Sequence, residues 1–182
     1  MHDEWVRFVA APLAALSLPA VAHAVQYLTV EQAQQLMFGR QMRFKRSDLV
    51  YDREVAARVE RAAAARVAGL RQPMWRVLRD DALEGFFFVD EVIGKHELIT
   101  YAVGLGADGR VRQVEILAYR EAYGFEIRNP AWRAQFVGKS RADSVKLDQD
   151  IKNISGATLS CRHVTEGIRR ILALHDQLLR AD

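Results

Sequence analysis

The sequence predicts an α+β fold in which an antiparallel β meander packs against helices, after an N-terminal signal segment. Three observations lead to this prediction. The middle third of the chain contains short runs rich in β-branched and aromatic residues, separated by turn residues. The segments before and after it repeat apolar residues at helical spacing. The first 24 residues include an uncharged apolar stretch followed by a small-x-small signature.

An export signal peptide is predicted over residues 1–24. Residues 8–22, FVAAPLAALSLPAVA, are uncharged and too short for a comfortable membrane span, which takes roughly 20 residues. The sequence Ala-His-Ala at 22–24 has the form of a cleavage site. Asp3 and Glu4 leave the preceding region without a clear positive charge, so an uncleaved N-terminal anchor is the alternative. The expected location is the periplasm or the extracytoplasmic face of the membrane.

Residues 25–75 are predicted as an N-terminal helical segment. Thr29 and Gln32 have capping-box spacing and start a helix that runs to about Phe38. A second helix is expected from roughly Glu54 to Leu70, where apolar residues recur at helical spacing. These apolar residues are Val55, Val59, Ala62, Ala63, Val67 and Leu70.

Four strands are predicted next, over residues 75–79, 85–92, 96–105 and 110–119, with a hairpin turn between the last two. Alternate residues of the third strand form two faces. The larger apolar set is expected to face the core and consists of Ile99, Tyr101, Val103 and Leu105. The opposite face consists of Leu98, Thr100, Ala102 and Gly104.

The last third begins with a long connection over residues 120–140 that we expect to be an ordered, functional loop. It includes a short helix around residues 131–136, with Asn129 as the cap and Pro130 at the first position. A terminal helix follows, with an apolar stripe made of Val164, Ile168, Ile171, Leu172, Leu174 and Leu178.

Composition excludes several classes of function. The net charge of +3 is small, and no dense stripe of basic residues with interleaved aromatic residues is present, so nucleic acid is not an expected partner. The single cysteine, Cys161, rules out an intramolecular disulfide and a multi-cysteine metal site. The five histidines show no paired spacing, so no metal site is predicted.

Residues 153–161, NISGATLSC, are small and hydroxyl-rich and lie at the start of the terminal helix. Unpaired N–H groups and a partial positive charge at such a helix end favour a phosphate. From the residues alone, the turn is either an anion site or a helix cap.

The segment Ser155-Gly156-Ala157-Thr158, followed by Leu159-Ser160, resembles the flavinylation motif of the FMN-binding domain family. The best-known members are peripheral subunits of the sodium-pumping NADH:quinone reductase and of the Rnf electron-transport complex. Upstream, Glu121-Ala122-Tyr123-Gly124 resembles the family's Glu-Thr-Pro-Gly segment, and residues 127–140 resemble the stretch that follows it. The resemblance runs from about Phe86 to Leu179 and implies that residues 76–182 form an FMN-binding domain.

The resemblance implies that Thr158 is joined through its hydroxyl to the phosphate of FMN. A separate flavin transferase would attach the flavin outside the cytoplasm, with FAD as donor. The further cofactor-binding residues that it implies are Ser155, Gly156, Ala157, Leu159, Ser160, Glu121, Tyr123 and Gly124. Tyr119, Tyr123 and Phe125 are candidates to contact the flavin ring, with core packing as the alternative. Lys139 is a candidate partner of the phosphate, with an exposed surface position as the alternative.

The sequence departs from the family pattern at two places. Many members carry an acid three residues before the motif, where this chain has Lys152; the nearest acid is Asp150. Ala122 and Tyr123 replace a Thr-Pro pair, so the contact of this loop with the flavin is expected to differ.

The predicted function is that of an extracytoplasmic electron-transfer flavoprotein carrying covalent FMN. It would relay electrons between a membrane electron-transfer protein and an acceptor in the envelope, as a carrier rather than a complete enzyme, and no catalytic residues are assigned. Two alternatives remain: a flavin-dependent reductase acting directly on a small substrate, and a non-redox secreted binding module whose SGAT turn is only a helix cap.

Overall fold

The computed structural model describes residues 25–120 and 123–180. The predicted signal peptide therefore lies outside the described residues, as do Glu121 and Ala122. The strands are β1 (Val25–Gln26), β2 (Arg43–Arg46), β3 (Leu49–Val50), β4 (Arg71–Gln72), β5 (Met74–Arg79), β6 (Ala82–Ile93), β7 (Leu98–Gly106) and β8 (Val111–Tyr119). The helices are α1 (Val30–Phe38), α2 (Arg53–Ala63), α3 (Pro130–Ala134) and α4 (Thr158–Leu178), with a 3-10 turn at Phe125–Arg128.

The fold is α+β, as predicted, and its centre is a curled antiparallel sheet of six strands in the order β1-β8-β7-β6-β5-β2. Strands β5 to β8 are the predicted meander, and each lies within three residues of its expected bounds. The hairpin turn between β7 and β8 is confirmed: the N–H of Gly109, at φ +77°, donates to the carbonyl of Gly106 at 2.9 Å. Strands β3 and β4 form a separate two-stranded ribbon.

Both faces of the sheet are buried. The predicted core face of β7, which includes Tyr101 and Val103, packs with the apolar stripe of α4 in the main core. The opposite face is buried as well, because α1 covers it: Ala102 lies in a second apolar cluster with Met37 and Phe38. The prediction that the larger apolar face of β7 is the core face is therefore incomplete, because the smaller face is also buried.

The first fifty described residues contain more than helices. The capping box of Thr29 and Gln32 starts α1 as predicted. Helix α2 ends at Ala63, well short of the predicted Leu70, because Ala64 adopts a left-handed conformation at φ +47°. Strands β1 and β2 form the two edges of the main sheet, so this segment is built into the sheet rather than being helical throughout.

The last third agrees with the prediction. The side chain of Asn129 accepts the N–H of Ala131 at 2.9 Å and caps α3, whose first residue is Pro130. The stripe of α4 is buried from Val164 to Leu174, and only Leu178 is partly exposed. Among the described residues, no helix is both long enough and apolar enough to cross a membrane.

Candidate functional site

The small turn leads directly into the long helix α4. Gly156 has a φ of +87°, which favours glycine, and the N–H of Ala157 donates to the carbonyl of Ile154 at 3.0 Å. The N–H of Cys161 makes the first α-helical bond, to the carbonyl of Ala157 at 2.9 Å. Thr158 is therefore the first residue of the helix, and Ala157 is its N-cap.

The amino end of α4 keeps free backbone donors. No side chain caps this helix, so the alternative in which the hydroxyl groups of the turn serve as its cap is wrong. Within residues 25–120 and 123–180, the N–H groups of Thr158, Leu159 and Ser160 have no acceptor. Such a cluster of donors at the positive end of a 21-residue helix favours an anion.

Thr158 is half-buried, and its hydroxyl faces the turn. Its Oγ1 accepts a hydrogen bond from Nδ2 of Asn153 at 3.2 Å. The carboxamide oxygen of Asn153 in turn accepts the N–H of Ile154 at 2.8 Å. The hydroxyl oxygen therefore has one defined partner within the turn and is not packed into the core.

Ser160 has a different environment. It is buried, and its Oγ lies 3.0 Å from the hydroxyl oxygen of Tyr119. Because the hydroxyl of Tyr119 donates to the carbonyl of Tyr123 at 2.5 Å, Ser160 is the donor in the pair. These two bonds attach the segment that follows β8 to the first turn of α4.

Gly124 allows the segment after β8 to lie close to the first turn of α4. Its φ is +89°, and a Cβ atom there would lie 2.6 Å from the hydroxyl oxygen of Tyr119 and 3.0 Å from Oγ of Ser160. A side chain at this position is excluded both by backbone conformation and by contact. The glycine therefore lets the chain lie directly against the helix end.

A cleft of about 570 Å³ opens at this end of the helix. Its walls come from the turn between β6 and β7, from the segment after β8, and from the start of α4. The lining residues are Lys95, His96, Glu97, Arg120, Tyr123, Gly124, Gly156, Ala157, Thr158, Leu159 and Ser160. This volume lies within the range of about 300–1,000 Å³ that is usual for small-molecule and cofactor sites.

Residues 94–173 match the family model described as the FMN-binding domain. This part of the chain belongs to the FMN-binding domain family. The match contains every residue that lines the cleft. No curated protein matches the chain. The resemblance found in the sequence is therefore confirmed, and the protein is a flavin-binding protein.

The FMN-binding domain brings most of the predicted site residues together. Seven of them line the cleft: Tyr123, Gly124, Gly156, Ala157, Thr158, Leu159 and Ser160. Ser155 is exposed beside the turn and does not line the cleft. Glu121 lies outside the described residues.

The other candidates have other roles. The ring of Tyr119 is buried, with 2% of its surface exposed, so it packs in the core rather than against a ligand. Phe125 is exposed but is not part of the cleft wall. Lys139 forms an ion pair with Asp150 at 3.1 Å, and Cys161 is fully buried, which raises the pKa of its thiol.

Asp150, the acid nearest to the motif, is held by the loop that precedes it. Its carboxylate accepts hydrogen bonds from the N–H groups of Val145 and Lys146 and forms an ion pair with Lys139. Burial alone would raise the pKa of its carboxyl, but these hydrogen bonds outweigh burial and lower it. Asp150 therefore stabilises this loop, and Lys152 stays exposed where many family members carry an acid.

Sequence reasoning missed four residues of the cleft: Lys95, His96, Glu97 and Arg120. Lys95 lies in the connection between two predicted strands, whereas His96 and Glu97 are the first residues of the strand predicted over 96–105. Neither context predicts a binding site. Arg120 is half-buried and makes no hydrogen bond or ion pair with any described residue. Its charge, like that of Lys95, favours an anionic group in the cleft.

The residues of the cleft fit FMN at both of its chemically distinct ends. The free N–H groups at the start of α4 suit the phosphate. Leu159 and Tyr123 expose apolar surface, which suits a planar ring system with a polar rim. Gly124 and Gly156 have no side chains, so the backbone on both sides of the cleft is open to a ligand.

Proposed function

We propose that the protein is an extracytoplasmic electron-transfer flavoprotein that carries FMN covalently, through a bond between the FMN phosphate and Oγ1 of Thr158. The observation that carries this proposal is the position of Thr158, a half-buried residue, at the first turn of α4 and in the wall of the cleft of the FMN-binding domain. The hydroxyl needed for the bond and the donors needed for the phosphate are thus within one helical turn.

Each residue of the site has a definable task in this proposal. Thr158 supplies the attacking oxygen once, during attachment, and its β-branched side chain then limits the directions available to the phosphate. The N–H groups of Leu159 and Ser160 bind the phosphate oxygens. Tyr119 and Gly124 hold the opposite wall against the helix. The flavin supplies the redox chemistry, while the protein binds and orients it.

The proposed partners are a flavin transferase for maturation and a membrane electron-transfer protein that exchanges electrons with the flavin. The apolar stretch at residues 8–22 supports a location outside the cytoplasm. A covalent bond suits such a compartment, because a cofactor that dissociated there would be lost by diffusion. The protein would act as a carrier between a membrane reductase and an acceptor in the envelope.

The proposal is tested by mass spectrometry of the full chain, exported from cells that also make a flavin transferase. We expect a yellow protein whose intact mass exceeds that of the polypeptide by one FMN less one water. Thr158→Ala should lose this increment and stay folded, because its hydroxyl makes a single hydrogen bond. Thr100→Ala is a matched control, since Thr100 lies on β7, its hydroxyl donates to Glu91 on β6, and the residue does not line the cleft.

An unmodified wild-type mass would contradict the covalent attachment, and an increment that survives in Thr158→Ala would place the bond on another residue. The two alternatives give different results in the same preparation. A small-molecule reductase would turn over its substrate as purified holoprotein with no membrane partner. A non-redox binding module would be colourless.

A further inference from the structure

We propose that Asn153 is a positioning residue for flavin attachment: its side-chain amide holds the hydroxyl of Thr158 in the orientation from which the oxygen attacks phosphorus. This inference rests on the proposed function, because it concerns the same threonine. Asn153 lies outside the six residues that resemble the flavinylation motif.

The orientation of the Asn153 amide is fixed by its own hydrogen bonds. The N–H of Ile154 donates to one end of the carboxamide at 2.8 Å, and an N–H can donate only to the oxygen. The nitrogen is therefore the end that faces Thr158, 3.2 Å from Oγ1. The hydroxyl oxygen of Thr158 accepts a hydrogen bond from this amide and has no other partner among the described residues.

The backbone immediately before Asn153 is hydrogen-bonded to α3 and to the residue that follows this helix. The N–H of Lys152 donates to Oε1 of Gln135 at 2.7 Å, and its carbonyl accepts Nε1–H of Trp132 at 2.9 Å. Trp132 is itself buried and packs edge-on against Phe136. The backbone that carries Asn153 is therefore held in place, and the hydrogen bond from its amide restricts the orientation of the Thr158 hydroxyl.

A fixed hydroxyl matters because a threonine in a helix divides between two χ1 rotamers. The bond from Asn153 favours the rotamer in which Oγ1 faces the turn. It occupies one of the two lone pairs of the oxygen and leaves the second for attack. The reaction transfers no electrons: a bond forms between Oγ1 and the FMN phosphorus of FAD, the pyrophosphate P–O bond breaks, and AMP leaves. The hydroxyl proton passes to a base of the flavin transferase.

The test is a time course of flavin attachment to the purified, unmodified full chain, with flavin transferase and FAD added and intact mass as the readout. Asn153→Ala should lower kcat by about threefold to tenfold, the effect of one hydrogen bond, and leave the KM for the protein unchanged. Asn153→Asp keeps the acceptor for the N–H of Ile154 but has no donor, and we expect the same loss.

Asn129→Ala is the matched control. It removes an asparagine whose oxygen accepts one backbone N–H and caps α3, so it costs stability without touching Thr158. We expect it to be modified at the wild-type rate. Urea unfolding of all three variants shows whether each one is folded under the conditions of the assay.

The possible failures are distinguishable. Wild-type rates in both Asn153 variants would overturn the positioning role and leave the proposed function intact. A raised KM with unchanged kcat would also overturn it, since it would mean that Asn153 contacts the transferase instead. An equal loss in Asn129→Ala would assign the effect to stability. Absence of modification in the wild type would overturn the proposed function itself.

Discussion

Replacing Gly124 with alanine tests how the wall of the cleft is held against α4. The backbone of Gly124 is left-handed, with φ +89° and ψ 10°. An added Cβ would lie 2.6 Å from the hydroxyl oxygen of Tyr119 and 3.0 Å from Oγ of Ser160. The tyrosine has no room to yield, because its ring is buried and its hydroxyl bonds both Ser160 and the carbonyl of Tyr123.

The expected loss of stability has two parts. A left-handed conformation costs a non-glycine residue about 1–2 kcal/mol. Displacing the Tyr119 hydroxyl leaves buried polar groups without partners, which costs about 1–3 kcal/mol more. Gly124→Ala should therefore lower the free energy of unfolding by about 2–5 kcal/mol in total. Gly138 isolates the first part, because its φ is +80° and an added Cβ would meet nothing within 4 Å. Gly138→Ala should cost only about 1–2 kcal/mol.

The assay is urea unfolding of the full chain at neutral pH, followed by far-UV circular dichroism. The difference between the two variants, about 1–3 kcal/mol, measures the contact with Tyr119 and is independent of the cost of the backbone conformation. Equal losses in Gly124→Ala and Gly138→Ala would refute the argument, because they would show that the wall of the cleft moves away from the helix without cost.

Two further predictions concern charged groups. Hydrogen bonds from Arg46 and Arg71 lower the pKa of Asp48 to about 2, so Asp48→Asn should lower stability at neutral pH by about 1–3 kcal/mol, whereas exposed Asp81→Asn should change it little. In wild-type protein this stabilisation should be lost progressively as the pH falls from about 4, where the unfolded carboxyl binds its proton, to about 2, where the folded carboxyl does. A loss in Asp81→Asn as large as in Asp48→Asn would contradict the prediction. Burial lowers the pKa of His175, so the unfolded chain binds a proton more readily, and stability should fall as the pH drops from about 7 through the ordinary histidine pKa of about 6.5. Urea unfolding across this range should show a slope that His175→Gln lacks, and identical slopes would exclude His175 as the cause.

Elements fixed by local periodicity could be predicted from the sequence, whereas the end of α2 could not. Residues 62–66 are rich in alanine, which favours continuation of the helix. The structure ends it at Ala63 because the side chain of Glu60 accepts the N–H of Val67 and the chain returns to pair β4 with β3. The first interaction is a side-chain bond to the backbone after the helix and the second joins two strands, so neither is visible in the spacing of apolar residues.

The second buried face of the sheet was missed for a related reason. Ala102 and Gly104 look too small to form a core face, and the larger residues of β7 lie on the other side. Their size is what admits α1: a Cβ on Gly104 would lie 2.9 Å from the ring of Phe38. A small residue on a strand is thus compatible either with an exposed face or with a closely packed neighbour. For β7 the position of α1 decides between the two, and the sequence does not give that position.

Contacts between residues far apart in the sequence also explain why only part of the cleft could be predicted. The motif around Thr158 is contiguous, so the sequence contains it whole. The opposite wall depends on strand register: Ile99 pairs with Tyr119, so the turn before β7 and the segment after β8 reach the same end of the sheet. Lys95 and Arg120 therefore meet in space although 25 positions separate them in the sequence. Composition alone contains no information on that register.

Within the motif, helix geometry separates two hydroxyl groups that look equivalent in the sequence. Thr158 and Ser160 are two positions apart in α4, which rotates their side chains by about 200° around the helix axis. Ser160 is consequently buried, with its side chain pointing to Tyr119 and holding the wall of the cleft, while Thr158 is only half-buried and its side chain points to Asn153. A hydroxyl bonded into the core is a poor nucleophile for an external enzyme, so the geometry favours attachment at Thr158 over attachment at Ser160.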